Sequence, residues 1–69
     1  MEEINDMEVL AIMVDGGRNL CDYAIGKWWR DEYKMGHEEN FKNIRRWKEI
    51  KARISDLRVM FKHSLESTK

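Results

Sequence analysis

The clearest periodic signal lies in the C-terminal half of the chain. Trp47, Ile50, Ile54, Leu57, Phe61 and Leu65 recur at steps of 3, 4, 3, 4 and 4, which puts them on one face of an α-helix at heptad-like spacing. The predicted helix covers 38–65 and opens on Glu38 and Glu39, acids suited to the positive end of a helix. At 1.5 Å per residue it reaches about 42 Å, longer than a compact ball of this size is wide. Either another helix folds back along it or a second chain covers part of the seam.

Upstream, Leu20, Cys21, Ala24, Ile25, Trp28 and Met35 fall within an arc of about 140° on a helical wheel. They predict a second helix over 20–35, with Asn19 as N-cap and Gly36 as the left-handed residue that ends it. A first helix over 4–14 carries apolar residues all round. Ile4, Met7, Ala11 and Val14 form one stripe, bordered by Leu10, while Val9, Ile12 and Met13 lie across the wheel. A helix apolar all round is normally buried all round, and so small a chain cannot surround it. The stripe is therefore assigned to the core, and Val9, Ile12 and Met13 to the interface of a homodimer. Asn5 and Glu8 have capping-box spacing at its start. A strand is the rival reading of 9–14, because a short apolar run cannot be assigned by periodicity alone.

These elements predict an all-α fold over 1–69, a small domain of two to three helices. An antiparallel helical hairpin with a long C-terminal helix dominates it, and the first helix crosses it. The absence of proline and the 38% of charged residues favour helices over strands and loops. Sixty-nine residues bury a limited core, so such a chain depends on regular packing, oligomerisation or a partner. A single cysteine excludes an intrachain disulfide and fits a reducing compartment. The longest apolar run, 9–14, is too short to span a bilayer, and no basic stretch precedes it as in a secretory signal. The expectation is a cytoplasmic protein with no membrane partner.

The formal charge is zero but unevenly placed. Residues 1–22 hold six acids (Glu2, Glu3, Asp6, Glu8, Asp15, Asp22) against Arg18, and the rest of the chain holds twelve bases against seven acids. From Asn40 to His63 there are eight bases and only two acids, Glu49 and Asp56. Lys42, Arg45, Arg46, Lys48 and Arg53, with Trp47 adjacent, are the residues of a possible nucleic-acid surface. Their placement points elsewhere too. Arg46 and Arg53 border one side of the seam and Lys51 and Arg58 the other, so the bases straddle it instead of forming an opposite ridge. Bases flanking a seam call for acids across it. Two copies joined seam to seam would face like charges in either orientation, whereas the acidic first helix, of the same chain or of a second copy, is an available complement.

Trp28 and Trp29 are consecutive, and consecutive helical residues point about 100° apart. Trp28 falls on the core arc and Trp29 off it, with Tyr33 four residues on. Gly26 on the same flank leaves room for close approach. With Arg30 and Tyr23 these residues form a candidate partner-binding surface, rich in the types that dominate interface hot spots. The plainer alternative is that Trp29 only shields the side of the hairpin, with Tyr33 as its companion.

No catalytic, cofactor or metal motif is present. His37 reads as a loop residue, His63 and Glu66 share a face without further ligands, and Cys21 lies on the core arc, where it acts as a small hydrophobe. A helix-turn-helix across 9–33 has turn spacing off by one residue and two tryptophans where base-reading side chains belong. The expectation is a non-enzymatic chain with no cofactor and no small-molecule substrate. It would be a small regulatory or inhibitory protein that binds a larger protein through an aromatic and basic helical surface. Two alternatives stand beside it, a nucleic-acid-binding protein and a structural self-assembling subunit. Small one-domain helical chains are common among accessory proteins of phages and bacteria, a background expectation that no motif here carries.

Overall fold

A computed structural model describes residues 4–67, so Glu2 and Glu3 of the acidic segment and Thr68 and Lys69 of the tail lie outside the described residues. Three helices follow one another, α1 (Asp6–Asp15), α2 (Arg18–Trp29) and α3 (His37–Ser67), with no strand among the described residues. The antiparallel hairpin of α2 against α3 is the principal packing, and α1 lies across both. Residues 9–14 belong to α1 and form no strand.

The N-terminus of α1 is built as its sequence suggests. Asn5 has extended backbone, and its side-chain oxygen accepts a hydrogen bond from the Glu8 amide at 2.8 Å, which satisfies one of the free donors of the first turn. The core is formed by Val9, Cys21, Ile50, Ile54 and Leu57, with Ile4, Ile12, Met13 and Trp47 packed against it.

This core reverses the faces expected of α1. Val9 is 0% exposed and sits in the chain's own interior, with Ile12 and Met13 packed beside it, so these three residues are not a free dimer interface. Of the stripe assigned to the core, Met7 (76% exposed), Val14 (87% exposed) and Ala11 point outward instead, while Ile4, ahead of the Asn5 cap, does pack against the core. Charge explains the choice. Asp6 and Glu8 flank Val9 on the helical wheel, so turning Val9 inward delivers both carboxylates to the basic border of α3, and the opposite rotation would carry them away from it.

α2 stops six residues short of the predicted end. Asp31 adopts a left-handed conformation (φ 53°), its amide donates to the Trp28 carbonyl and that of Glu32 to the Lys27 carbonyl, both at 3.1 Å. This is a Schellman termination with an aspartate where glycine is usual. Met35 therefore lies in the connection and is exposed. Gly36 is left-handed (φ 92°) as expected, but it stands immediately before α3, its carbonyl accepting from the Asn40 amide at 3.0 Å, and does not end α2. At the start of α2, Gly17 and not Asn19 is the N-cap.

The seam of α3 is buried only in part. Ile50, Ile54 and Leu57 are in the core and Trp47 is half-buried, while Phe61 and Leu65 lie beyond the reach of α1 and α2. Towards the hairpin, Ile44 and Asn40 extend the buried face under α2. The result is an elongated body of 50 × 22 × 14 Å, whose radius of gyration of 14.1 Å exceeds the roughly 11 Å of a compact chain of this length.

Candidate interaction surface

The two borders of the α3 seam recruit acids from different helices. On one border Arg46 donates to a Glu8 carboxylate oxygen at 2.8 Å, and Arg53 grips Asp6 through two hydrogen bonds at 3.0 and 3.1 Å. On the other, Lys51 donates to Asp22 of α2 at 2.6 Å. The acidic first helix is thus the complement of the basic third helix within one chain. Arg53 holds the Asp6 carboxyl below its ordinary pKa, chiefly by its hydrogen bonds and also by its charge.

Of the five bases considered for nucleic acid, Arg46 and Arg53 are consumed by these pairs. Lys42, Arg45 and Lys48 hold no acid among the described residues. Arg58, at the far end of the covered region, lines a shallow cleft with Arg18, Asp22 and the Gly16–Gly17 turn.

The aromatic residues sort into three places. Trp29 remains 57% exposed and meets the edge of Phe41 at a centroid distance of 5.9 Å and an interplanar angle of 85°. Phe41 in turn receives His37 edge-on at 5.0 Å, and the Lys48 ammonium stands 5.8 Å from the Trp29 ring centre. Tyr33 does not accompany Trp29. Because Asp31 turns the chain, Tyr33 folds back onto Trp28 at 4.2 Å, and Trp28 is half-buried beneath it. Tyr23 stands apart with Lys27, whose ammonium is 4.7 Å over its ring. Arg30 is tied to Glu32 at 3.1 Å, and a Cβ on Gly26 would meet only the Arg30 guanidinium, at an ordinary 3.5 Å. No second backbone or ring uses the space at Gly26.

The assembled surface is therefore Trp29, Phe41, His37 and Lys48 at the hairpin end, and it shares only Trp29 with the partner-binding set expected from sequence. Phe41 and His37 went unnoticed as a surface, although their spacing of four residues, with Lys48 seven beyond Phe41, places all three on one flank of α3. In the first turn of α3, Asn40 is buried and its Oδ1 has no hydrogen-bond partner.

Cys21 is fully buried, and burial first, then the neighbouring Asp22 carboxylate, push its thiol pKa up, the opposite of what a nucleophile needs. Among the described residues no cluster of three or more His, Cys, Asp or Glu side chains could hold a metal ion, and no helix is long and apolar enough to cross a membrane. Fold and surface together define a small all-α domain with an aromatic and basic end. No protein-family model matches the chain, and neither any curated protein nor any solved structure shows significant similarity to it.

Proposed function

We propose that this protein is a non-enzymatic regulator or inhibitor that works by binding a larger protein through the hairpin end. Trp29 is the anchor, Phe41 and His37 are its aromatic floor, and Lys48, with Arg45 and Lys42, is its basic rim. The observation that carries the reading is the exposed Trp29 ring, held by the Phe41 edge and the Lys48 ammonium. A large aromatic already fixed by neighbours loses little side-chain entropy on binding, and Trp beside a cation is the composition of an interface hot spot. The geometry also disfavours Trp29 as a mere shield, because Tyr33, its supposed companion, is spent on Trp28.

A nucleic-acid surface is the second reading. It rests on Lys42, Arg45 and Lys48, three bases without acids next to two exposed rings suited to base stacking. The two readings separate in one experiment. Wild-type protein, Trp29→Ala and the double variant Lys42→Glu/Arg45→Glu are each used as bait, with and without nuclease, at low and high salt. The protein-binding reading expects one target recovered at near-equal amount despite nuclease and salt, and lost with Trp29→Ala. Recovery that disappears with nuclease, or that falls steeply with salt and with the double charge reversal, would transfer the function to nucleic acid.

A further inference from the structure

The outward face of α1 continues the buried face of α2. Met7, Leu10, Val14, Gly17, Cys21 and Ala24 recur at steps of 3, 4, 3, 4 and 3, a heptad line that the Gly16–Gly17 turn breaks in two. Its α2 half, Cys21 and Ala24, is buried, while Met7 is 76% and Val14 87% exposed. α3 carries a matching line through Ile50, Ile54, Leu57, Phe61 and Ser64, and it too is half used. Ile50, Ile54 and Leu57 are buried, but from Arg58 to Glu66 every residue is exposed. The ten residues of α1 and the exposed segment 58–66 each span about 14 Å at 1.5 Å per residue.

The Asp22–Lys51 ion pair sets the register of the antiparallel hairpin. One heptad further out on both helices, the same register joins Asp15 to Arg58, an acid and a base that hold no ion pair among the described residues. It also brings Val14 about level with Leu57 and Leu10 with Phe61. Arg58 already shares a cleft with Gly16, Gly17 and Asp22, so the base stands beside the turn that would have to straighten. That turn rests on its glycines. Gly17 has φ 62°, and a Cβ on Gly16 would come within 3.2 Å of the Leu20 Cβ. In a straight helix neither constraint applies, and only the poor helix propensity of two glycines weighs against it.

We propose that α1 has a second seat within its own chain. Hinged at Gly16–Gly17, it swings into line with α2 to make one helix over 6–29 and lies along the exposed end of α3, with Met7, Leu10 and Val14 on the Leu57–Phe61–Ser64 line and Asp15 on Arg58. The swing breaks the Asp6–Arg53 and Glu8–Arg46 pairs and withdraws Val9 from the core, so the closed form is the more populated of the two. It frees Arg46 and Arg53 as it covers Phe61, which makes α1 a switch between two faces of α3. The Trp29 end takes no part in it.

Disulfide trapping in the full chain tests this. In the closed form Asp6 is held on Arg53, roughly eleven residues, or about 16 Å of helix, short of Ser64. In the extended form Met7 and Ser64 are neighbours. Met7→Cys/Ser64→Cys, at two exposed positions, should close an intrachain disulfide in glutathione disulfide, separated by mass from products that join two chains, and Cys21 is too buried to compete. Adding Gly16→Ala/Gly17→Ala should speed closure at least about tenfold and raise the helical circular dichroism. Asp6→Asn/Glu8→Gln, which removes the closed pairs and leaves the core intact, should speed it severalfold. Asp15→Lys should slow it about twofold, and Arg58→Glu in the same chain should restore it. A rate that the glycine and Asp6/Glu8 variants leave unchanged overturns the proposal, as does a glycine variant that loses helix. So does a rate indifferent to Asp15→Lys, which would mean a detached α1 with no second seat, and so does a product that only joins separate chains.

Discussion

Arg53 and Asp6, separated by 47 positions in the chain, meet through two hydrogen bonds, from Nε to Oδ1 at 3.0 Å and from Nη2 to Oδ2 at 3.1 Å. The fork geometry fixes the rotation of α1 as well as its position, because a guanidinium recognises a carboxylate in one plane. With Arg46 on Glu8 the pairing brackets Val9 and seats it among Ile50, Ile54 and Leu57. Apolar burial supplies the larger part of the stabilisation, and the ion pairs select which face is buried.

That pairing makes stability depend on pH in a defined sense. The folded-state pKa of Asp6 is depressed, so its contribution is complete above the unfolded value of about 3.9 and is lost as the pH falls through the folded one. Thermal melts followed by circular dichroism should show Tm falling on the acid side of this range, and Asp6→Asn should flatten that fall. Both side chains are partly solvated, so added salt should shrink the difference between wild type and variant at neutral pH.

Ile50 is fully buried at the centre of the core. Ile50→Ala should cost about 2–5 kcal/mol, comparable to the whole stability of a domain this small, and should leave much of the chain unfolded at 25 °C. Met7→Ala, on the outward face of α1, should change stability by no more than about 0.5 kcal/mol. Urea titration of both variants checks the contrast. Equal losses would mean that the α1 stripe is buried after all.

Of the three left-handed positions of the α2–α3 connection, Asp31, Lys34 and Gly36, the first and the last predict opposite effects. Asp31 at φ 53° bears a steric cost that glycine lacks, so Asp31→Gly should stabilise by up to about 1 kcal/mol. Gly36 at φ 92° has open space around it, so Gly36→Ala meets no atom and should still destabilise by about 1 kcal/mol through the backbone alone. Chemical denaturation of the pair measures both signs.

Cys21 is buried with its thiol pKa raised. A thiol reagent should modify it only as fast as the core opens, and mild urea should accelerate the reaction in step with unfolding. Fast modification of the folded protein would mean that α2 lifts from α3 far more readily than its packing implies.

Periodicity carried most of the fold. The seam through Ile50, Ile54 and Leu57 and the helix-capping Asn5 were legible because both are local patterns. The orientation of α1 was not, since its two apolar faces are nearly equivalent by hydropathy and the deciding interactions, Asp6 with Arg53 and Glu8 with Arg46, join opposite ends of the chain. The early end of α2 was hidden because Asp31 occupies a position where glycine would have announced it. That same turn is why Tyr33 left Trp29, and why the aromatic end is completed by Phe41 and His37 of another helix.

The docking of α1 gives the molecule two tiers of order. The α2–α3 hairpin joins segments close in the chain and can form early, whereas α1 closes onto α3 across separations of 38 and 47 residues and must wait for most of the sequence. Amide hydrogens of α1 should then exchange through a local opening that leaves the hairpin intact, with the slowest exchange around Ile50 and Ile54. In that opened form the face of Ile50 and Ile54 that Val9 had covered is bare, so the first helix acts as a removable cover over the most adhesive surface the chain possesses.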